Sequence, residues 1–240
     1  MDLLLLHGFT HPGTSWARVQ GKLPERYRSL APDIRGHGSA SETRPVRLEA
    51  VLEDLAALAP PGAFTLAGSS MGGRLALHAA CSAGLAGRVS RLVLIGASPG
   101  LSDPAERAAR AAADDRLAKA VEGMSIEQLA REWATSTPVL AGQPAEVIEL
   151  LHRDRLRNTP AGLARALRGL GTGALPSLWK RLGDVRAPVT LVVGERDEKF
   201  TAIADQMAAR LADARVEVVP GAGHAVHLEA PERVAALLAE

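Results

Sequence analysis

The chain has 240 residues, 47% hydrophobic and 23% charged, with a formal net charge of +1. This balance fits a globular protein with a buried core, and it gives no overall argument for nucleic acid or an anionic membrane as partner. A single cysteine, Cys81, excludes an intramolecular disulfide, and the leucine run after Asp2 is too short for a membrane span or a signal peptide core. A cytoplasmic monomer or small homo-oligomer is expected.

In chain order, short apolar runs bounded by turn residues read as strands: DLLLLHGF (2–9), FTLAGSS (64–70), RLVLIGAS (91–98), PVTLVVGE (188–195) and RVEVVPGA (215–222), with YRSLAPD (27–33) a weaker candidate. Such runs suit strands buried on both faces. Helical patterns lie between them, at about 14–23, 47–58, 71–84, 201–212 and 231–239. The alternation predicts βαβ units, hence an α/β fold whose mostly parallel sheet is flanked by helices. The rhythm breaks between about Pro99 and Leu182, where four helices are expected, at 103–121, 125–135, 144–153 and 160–169. The expected organisation is therefore a core made of 1–98 and 183–240 that carries a helical cap, 99–182.

Gly68-Ser69-Ser70-Met71-Gly72 is G-x-S-x-G between a strand and a helix. In that context the middle serine, Ser70, sits on a sharp turn with its hydroxyl exposed. A serine hydroxyl is a weak nucleophile or base until a histidine takes its proton, and the histidine needs a carboxylate to fix its tautomer. Of seven histidines, His224 follows the last strand in a glycine-rich loop, and Asp197 follows the strand before it. The order Ser70, Asp197, His224 is one of the known triad orders, with His227 and Glu195 as rivals. The His7-Gly8-Phe9 loop after the first strand offers the Phe9 N–H, which with the Met71 N–H would form an oxyanion hole. Arg74 lies four residues beyond Ser70, on the same helix side. The loop Asp33–Ser39 reads as structural, and Cys81 as packed. His11, His78 and His152 have no partner constellation in the sequence, no spacing points to a metal site, and no phosphate loop or nucleic-acid pattern is present.

Taken in order, LLLHGF, PDIRGHG, GSSMGG, GERD and GAGHAVHLE resemble the α/β-hydrolase superfamily over essentially the whole chain. Within it, IGASPGL (95–101), ERAARAAADDRLA (106–118), LRNTPAGLA (156–164) and GERDEKF (194–200) are similar to the 2-succinyl-6-hydroxy-2,4-cyclohexadiene-1-carboxylate synthase family of menaquinone biosynthesis. The resemblance implies a lyase that eliminates pyruvate from a small anionic cyclohexene, with no metal and no organic cofactor. It implies Ser70, Asp197 and His224 as triad, and Arg74, Arg110, Trp133 and Arg157 as substrate contacts. Two departures stand out. Ser69 occupies a position that is usually aromatic in that family, and the chain begins almost at the oxyanion strand, so an altered sheet edge is expected. The alternatives are a carboxylesterase or other acyl hydrolase with Ser70 as covalent nucleophile, and a non-catalytic receptor, against which the intact triad argues.

Overall fold

The four leucines of β1 (Asp2–Leu6) are all buried, yet they enter two different cores. Successive side chains of a strand point to opposite faces. Leu4 and Leu6 therefore join one apolar cluster with Leu66, Leu92 and Leu191, and Leu3 and Leu5 join another with Ala67, Val93 and Val192. Each fully buried leucine contributes about 1.5–3 kcal/mol of transfer free energy, so both faces need a covering layer.

The computed structural model describes residues 1–136 and 142–240. After β1 come a 3-10 turn (Gly13–Trp16), α1 (Ala17–Gln20), β2 (Arg28–Leu30), α2 (Leu48–Leu58), β3 (Phe64–Ser69), α3 (Met71–Ala80) and β4 (Val89–Ile95). Four helices follow: α4 (Pro104–Glu122), α5 (Ile126–Ser136), α6 (Ala145–Arg155) and α7 (Pro160–Leu170). The chain then returns to the sheet with β5 (Val189–Gly194), α8 (Glu198–Ala208), β6 (Ala214–Val219), α9 (Val226–Glu229) and α10 (Pro231–Leu238). The strands pair in parallel in the order β2-β1-β3-β4-β5-β6. Side chains of α2, α3 and α8 cover one face, and those of α1, α9 and α10 the other.

The strand order places the site. From β1 the chain steps outward to β2, then returns to pair β3 on the opposite side of β1. Ligands of parallel α/β sheets bind at such a reversal, beyond the carboxyl ends of the strands. Leu6 is level with Gly68 across the β1–β3 pair, so His7-Gly8-Phe9 and Ser70 leave the sheet side by side.

The expected helix 14–23 is broken: a 3-10 turn precedes a four-residue α1, and Gly21 ends it. The weak strand candidate shrinks to the three residues of β2, which forms one edge of the sheet among the described residues. In the stretch expected to be all helical, α4 and α7 pack into a small apolar core of their own with Ala118, Val121, Leu163 and Leu167, and Phe9 touches it from below. Among the described residues, no helix is long and apolar enough to cross a membrane.

Candidate active site

The strand-to-helix turn is made by Ser70 alone, at φ 51° and ψ −111°. A serine held at positive φ costs on the order of 1–3 kcal/mol, which surrounding packing must offset. Gly68 and Gly72 permit that packing: a Cβ on Gly68 would run into the Gly72 backbone, and one on Gly72 into the Leu6 and His7 carbonyls. The Ser70 N–H is tied to the Ile95 carbonyl at 2.8 Å, which fixes the turn to β4.

His224 Nδ1 lies 2.6 Å from Asp197 Oδ2, with both residues buried. The carboxylate only accepts, so Nδ1 carries the proton and the lone pair lies on Nε2; both Ser70 and His224 line the same cavity. Asp197 also caps α8, its other oxygen facing the Phe200 N–H at 3.4 Å, where the helix N-terminus favours an anion. The Phe200 ring packs on His224 with centroids 4.6 Å apart. Of the rivals, Glu195 accepts from the Gly221 N–H and shapes the loop, while His227 is buried against Trp16 and kept neutral by burial and neighbouring His11.

His7 shows how the loop after β1 is set. The Ile34 N–H donates to His7 Nε2 at 2.9 Å, so the ring proton sits on Nδ1 and is donated to the Gly8 carbonyl at 2.9 Å. Burial pushes His7 down to about 4, which keeps it in this neutral form. The Gly8 carbonyl belongs to the same rigid peptide as the Phe9 N–H, so the ring orients that N–H. The Met71 N–H, at the first position of α3, has no intrahelical acceptor.

A cavity of about 380 Å³ opens above these groups, walled by Phe9, Ser69 and Ser70 from the core and by Arg110, Leu117, Trp133 and Leu167 from the inserted helices. Trp133 packs tilted against Phe9, with ring centroids 5.1 Å apart. Arg74 is only 8% exposed, donates to the Thr172 hydroxyl, and has a sealed Nε without partner. Burial and the nearby Arg110 push its guanidinium down to about 10. Arg110 also lines the cavity, held by Asp114 at 2.8 Å, and Lys199 lines it from α8. No aspartate or glutamate lines the cavity among the described residues.

The structure thus brings together Ser70, His224, Phe9, Met71, Arg74, Arg110 and Trp133, with Asp197 behind His224. It does not bring in Arg157, which is exposed on the turn after α6 and outside the cavity lining; the buried arginine of that stretch is Arg155. Ser69, small and buried, forms part of the wall. Sequence reasoning missed His11, which lines the cavity and pairs with Asp154 of α6 at 3.1 Å. The only hint was its place just after the His-Gly-Phe loop. Among the described residues, no group of His, Cys, Asp and Glu is arranged to hold a metal ion.

A model of the alpha/beta hydrolase family matches residues 3–237. The chain belongs to the α/β-hydrolase family. Within this family it is 37% identical to a putative 2-succinyl-6-hydroxy-2,4-cyclohexadiene-1-carboxylate synthase of Bacillus subtilis (strain 168), over 99% of this chain and 89% of that one. Among solved structures it matches MenH from S. aureus with a TM-score of 0.92 and 29% identity, over 99% of this chain and 91% of that one. It also matches a thermophilic esterase from Thermogutta terrifontis, solved with malate bound, with a TM-score of 0.82 and 28% identity, over 99% and 88% of the two chains. As an enzyme of this fold, the chain shares its scaffold with a synthase and with an esterase, so the cavity wall carries the argument about substrate.

Proposed function

We propose that this enzyme is a lyase of menaquinone biosynthesis, which eliminates pyruvate from a cyclohexene bearing several carboxylates to form 2-succinyl-6-hydroxy-2,4-cyclohexadiene-1-carboxylate. The observation that carries the reading is the charge of the wall: Arg74, Arg110 and Lys199 line the cavity and no described carboxylate does, although Asp114 pairs with Arg110 from outside the lining. A buried guanidinium without an ionic partner is costly unless a ligand supplies the anion, and arginine suits a carboxylate through its paired donors. The similarity to synthases named for this product supports the same reading.

In this reading Ser70, its proton taken up by His224, removes the acidic C–H beside the substrate carbonyl. The electron pair moves toward the carbonyl oxygen, where the Phe9 and Met71 N–H groups stabilise the developing charge. Collapse forms the ring double bond and breaks the C–O bond, and the leaving enolpyruvate carries off that electron pair, gains a proton and becomes pyruvate. Asp197 stabilises the His224 imidazolium meanwhile.

The second reading, an acyl hydrolase using Ser70 as covalent nucleophile, is favoured by the likeness to the Thermogutta esterase. Pyruvate release from the menaquinone intermediate, run beside hydrolysis of neutral aryl esters, separates the two. The lyase reading expects pyruvate release that Ser70→Ala lowers by about a thousandfold or more. Rapid ester turnover without pyruvate release would establish the hydrolase instead.

A further inference from the structure

Ser70 has a second histidine beside it. A Cβ built on Gly8 would lie 3.4 Å from His11 Cδ2 and 3.6 Å from the Ser70 Cβ, so both side chains border the same glycine on the cavity floor. His11 Nδ1 is 3.1 Å from Asp154 Oδ2, with side-chain exposures of only 9% and 15%. Asp154 is itself held in place: its helix end is tied to the core through Asn158, which donates to the Thr10 carbonyl at 2.8 Å and to the Asp154 carbonyl at 3.1 Å.

A carboxylate cannot donate, so the proton shared with Asp154 sits on Nδ1, and the neutral ring keeps its lone pair on Nε2. Nε2 is not among the sealed atoms that lack a partner, and His11 lines the cavity, so the lone pair opens into it. His227, another lining histidine, differs in having both nitrogens sealed. The other charged groups of the wall, Arg74, Arg110 and Lys199, only donate, and the Thr172 hydroxyl already accepts from Arg74. In the proposed mechanism His224 Nε2 serves Ser70. His11 Nε2 is therefore a placed acceptor in a cavity dominated by donors, and the group it fits is one that donates.

We propose that His11, oriented by Asp154, determines specificity by accepting a hydrogen bond from a substrate ring hydroxyl next to the carboxylate-bearing carbon, close to the carbon on which Ser70 acts. Under the lyase reading, on which this rests for the identity of the substrate, that group is the ring hydroxyl retained in the product. A site built to bond a hydroxyl discriminates strongly against the analogue lacking it, because the buried acceptor is then left unpaired.

The test is equilibrium binding, so it needs no turnover. In the Ser70→Ala protein, 2-hydroxycyclohexanecarboxylate is compared with cyclohexanecarboxylate by calorimetry. The expected result is a preference for the hydroxy acid of about tenfold or more, since one net hydrogen bond is worth about 1 kcal/mol and more when its loss strands a buried acceptor. Adding His11→Leu removes the preference while leaving the affinity for the plain acid within about twofold, a split that a merely structural role would not produce. Asp154→Asn, which keeps the ring but releases the tautomer, lowers the preference and serves if His11→Leu does not fold. No preference in the parent protein, whether from equal binding or from no binding, overturns the proposal, as does a preference that survives both substitutions. Failure of the lyase reading shows in a different assay, as absent pyruvate release, and leaves the hydroxyl preference standing.

Discussion

Arg74 concentrates the conflict between stability and function in one side chain. Its guanidinium is buried against Thr172, close to Arg110, and its basicity is depressed by that burial to about 10. A base whose folded value lies below its unfolded one disfavours the folded state at every pH where it is charged in both, which includes neutral pH. Arg74→Met keeps the volume and removes the charge. It is expected to raise the midpoint of urea unfolding, by a stability gain of roughly 1–3 kcal/mol. The same substitution should cut kcat/KM for the polyanionic substrate about a hundredfold or more, with little change for a neutral aryl ester. Loss of stability on substitution would mean that Arg74 is a structural arginine and would remove the main support for an anion site.

At the scale of elements, what distinguishes this enzyme is how the inserted helices are fastened to the sheet. Asn158, just beyond α6, is the central fastening: its amide donates to the Thr10 carbonyl at 2.8 Å, and its oxygen accepts from the Gly38 N–H at 3.0 Å. It thereby joins α6 to both loops that follow β1 and β2. Asn158→Leu strands the buried Thr10 carbonyl and the half-buried Gly38 N–H and is expected to cost about 1–3 kcal/mol of stability, read from chemical denaturation. Because the cavity is walled from both sides, KM should rise more than kcat falls; a variant with unchanged stability and unchanged KM would show the fastening to be dispensable. The local motifs were legible in the sequence. G-x-S-x-G, GERD and GAGH each encode a turn at the end of a strand, and the glycines leave few other geometries open. The fastenings were not legible. His11 and Asp154 are separated by 143 positions, as their bond records, and they meet only through the packing of α6. The difference between Arg155, buried, and Arg157, exposed, depends in the same way on where α6 ends, which a sequence period cannot place to within two residues. The N-terminal helix failed for a local reason: Pro12 and Gly13 enforce a tight 3-10 start, and Gly21 stops the chain after one turn of α-helix.

For the whole molecule, four buried histidines of the seven in the chain set an acid limit on the fold. Burial pushes His7 and His78 down to about 4, and holds His37 and His227 well below their ordinary value of 6.5. Each stays neutral in the folded protein, whereas the unfolded chain takes up its proton near pH 6.5. Between about pH 6.5 and 4 the unfolded state therefore binds more protons, and stability falls as the pH is lowered. The stabilising contribution is complete above that window. At pH 5 a group such as His7 accounts for roughly 2 kcal/mol, and several acting together should lower the Tm by about 10 °C or more between pH 7.5 and pH 5. The carboxylate at Asp33, held low by hydrogen bonds from Gly13 and Ser39 against the opposing effect of burial, titrates below this window and cannot supply the loss. Calorimetric scans across the range test this, with His78→Leu as the partner experiment: it should flatten the slope, since it removes one titrating group at the end of α3 far from Ser70. A Tm that holds steady from pH 7.5 to pH 5 would show these rings to be hydrated rather than sealed. The same burial bears on function, because His227 of the cavity lining is held neutral while Arg74, Arg110 and Lys199 supply fixed positive charge there. Attraction of an anionic substrate should then persist to pH values well above those at which a histidine-based site would lose its charge.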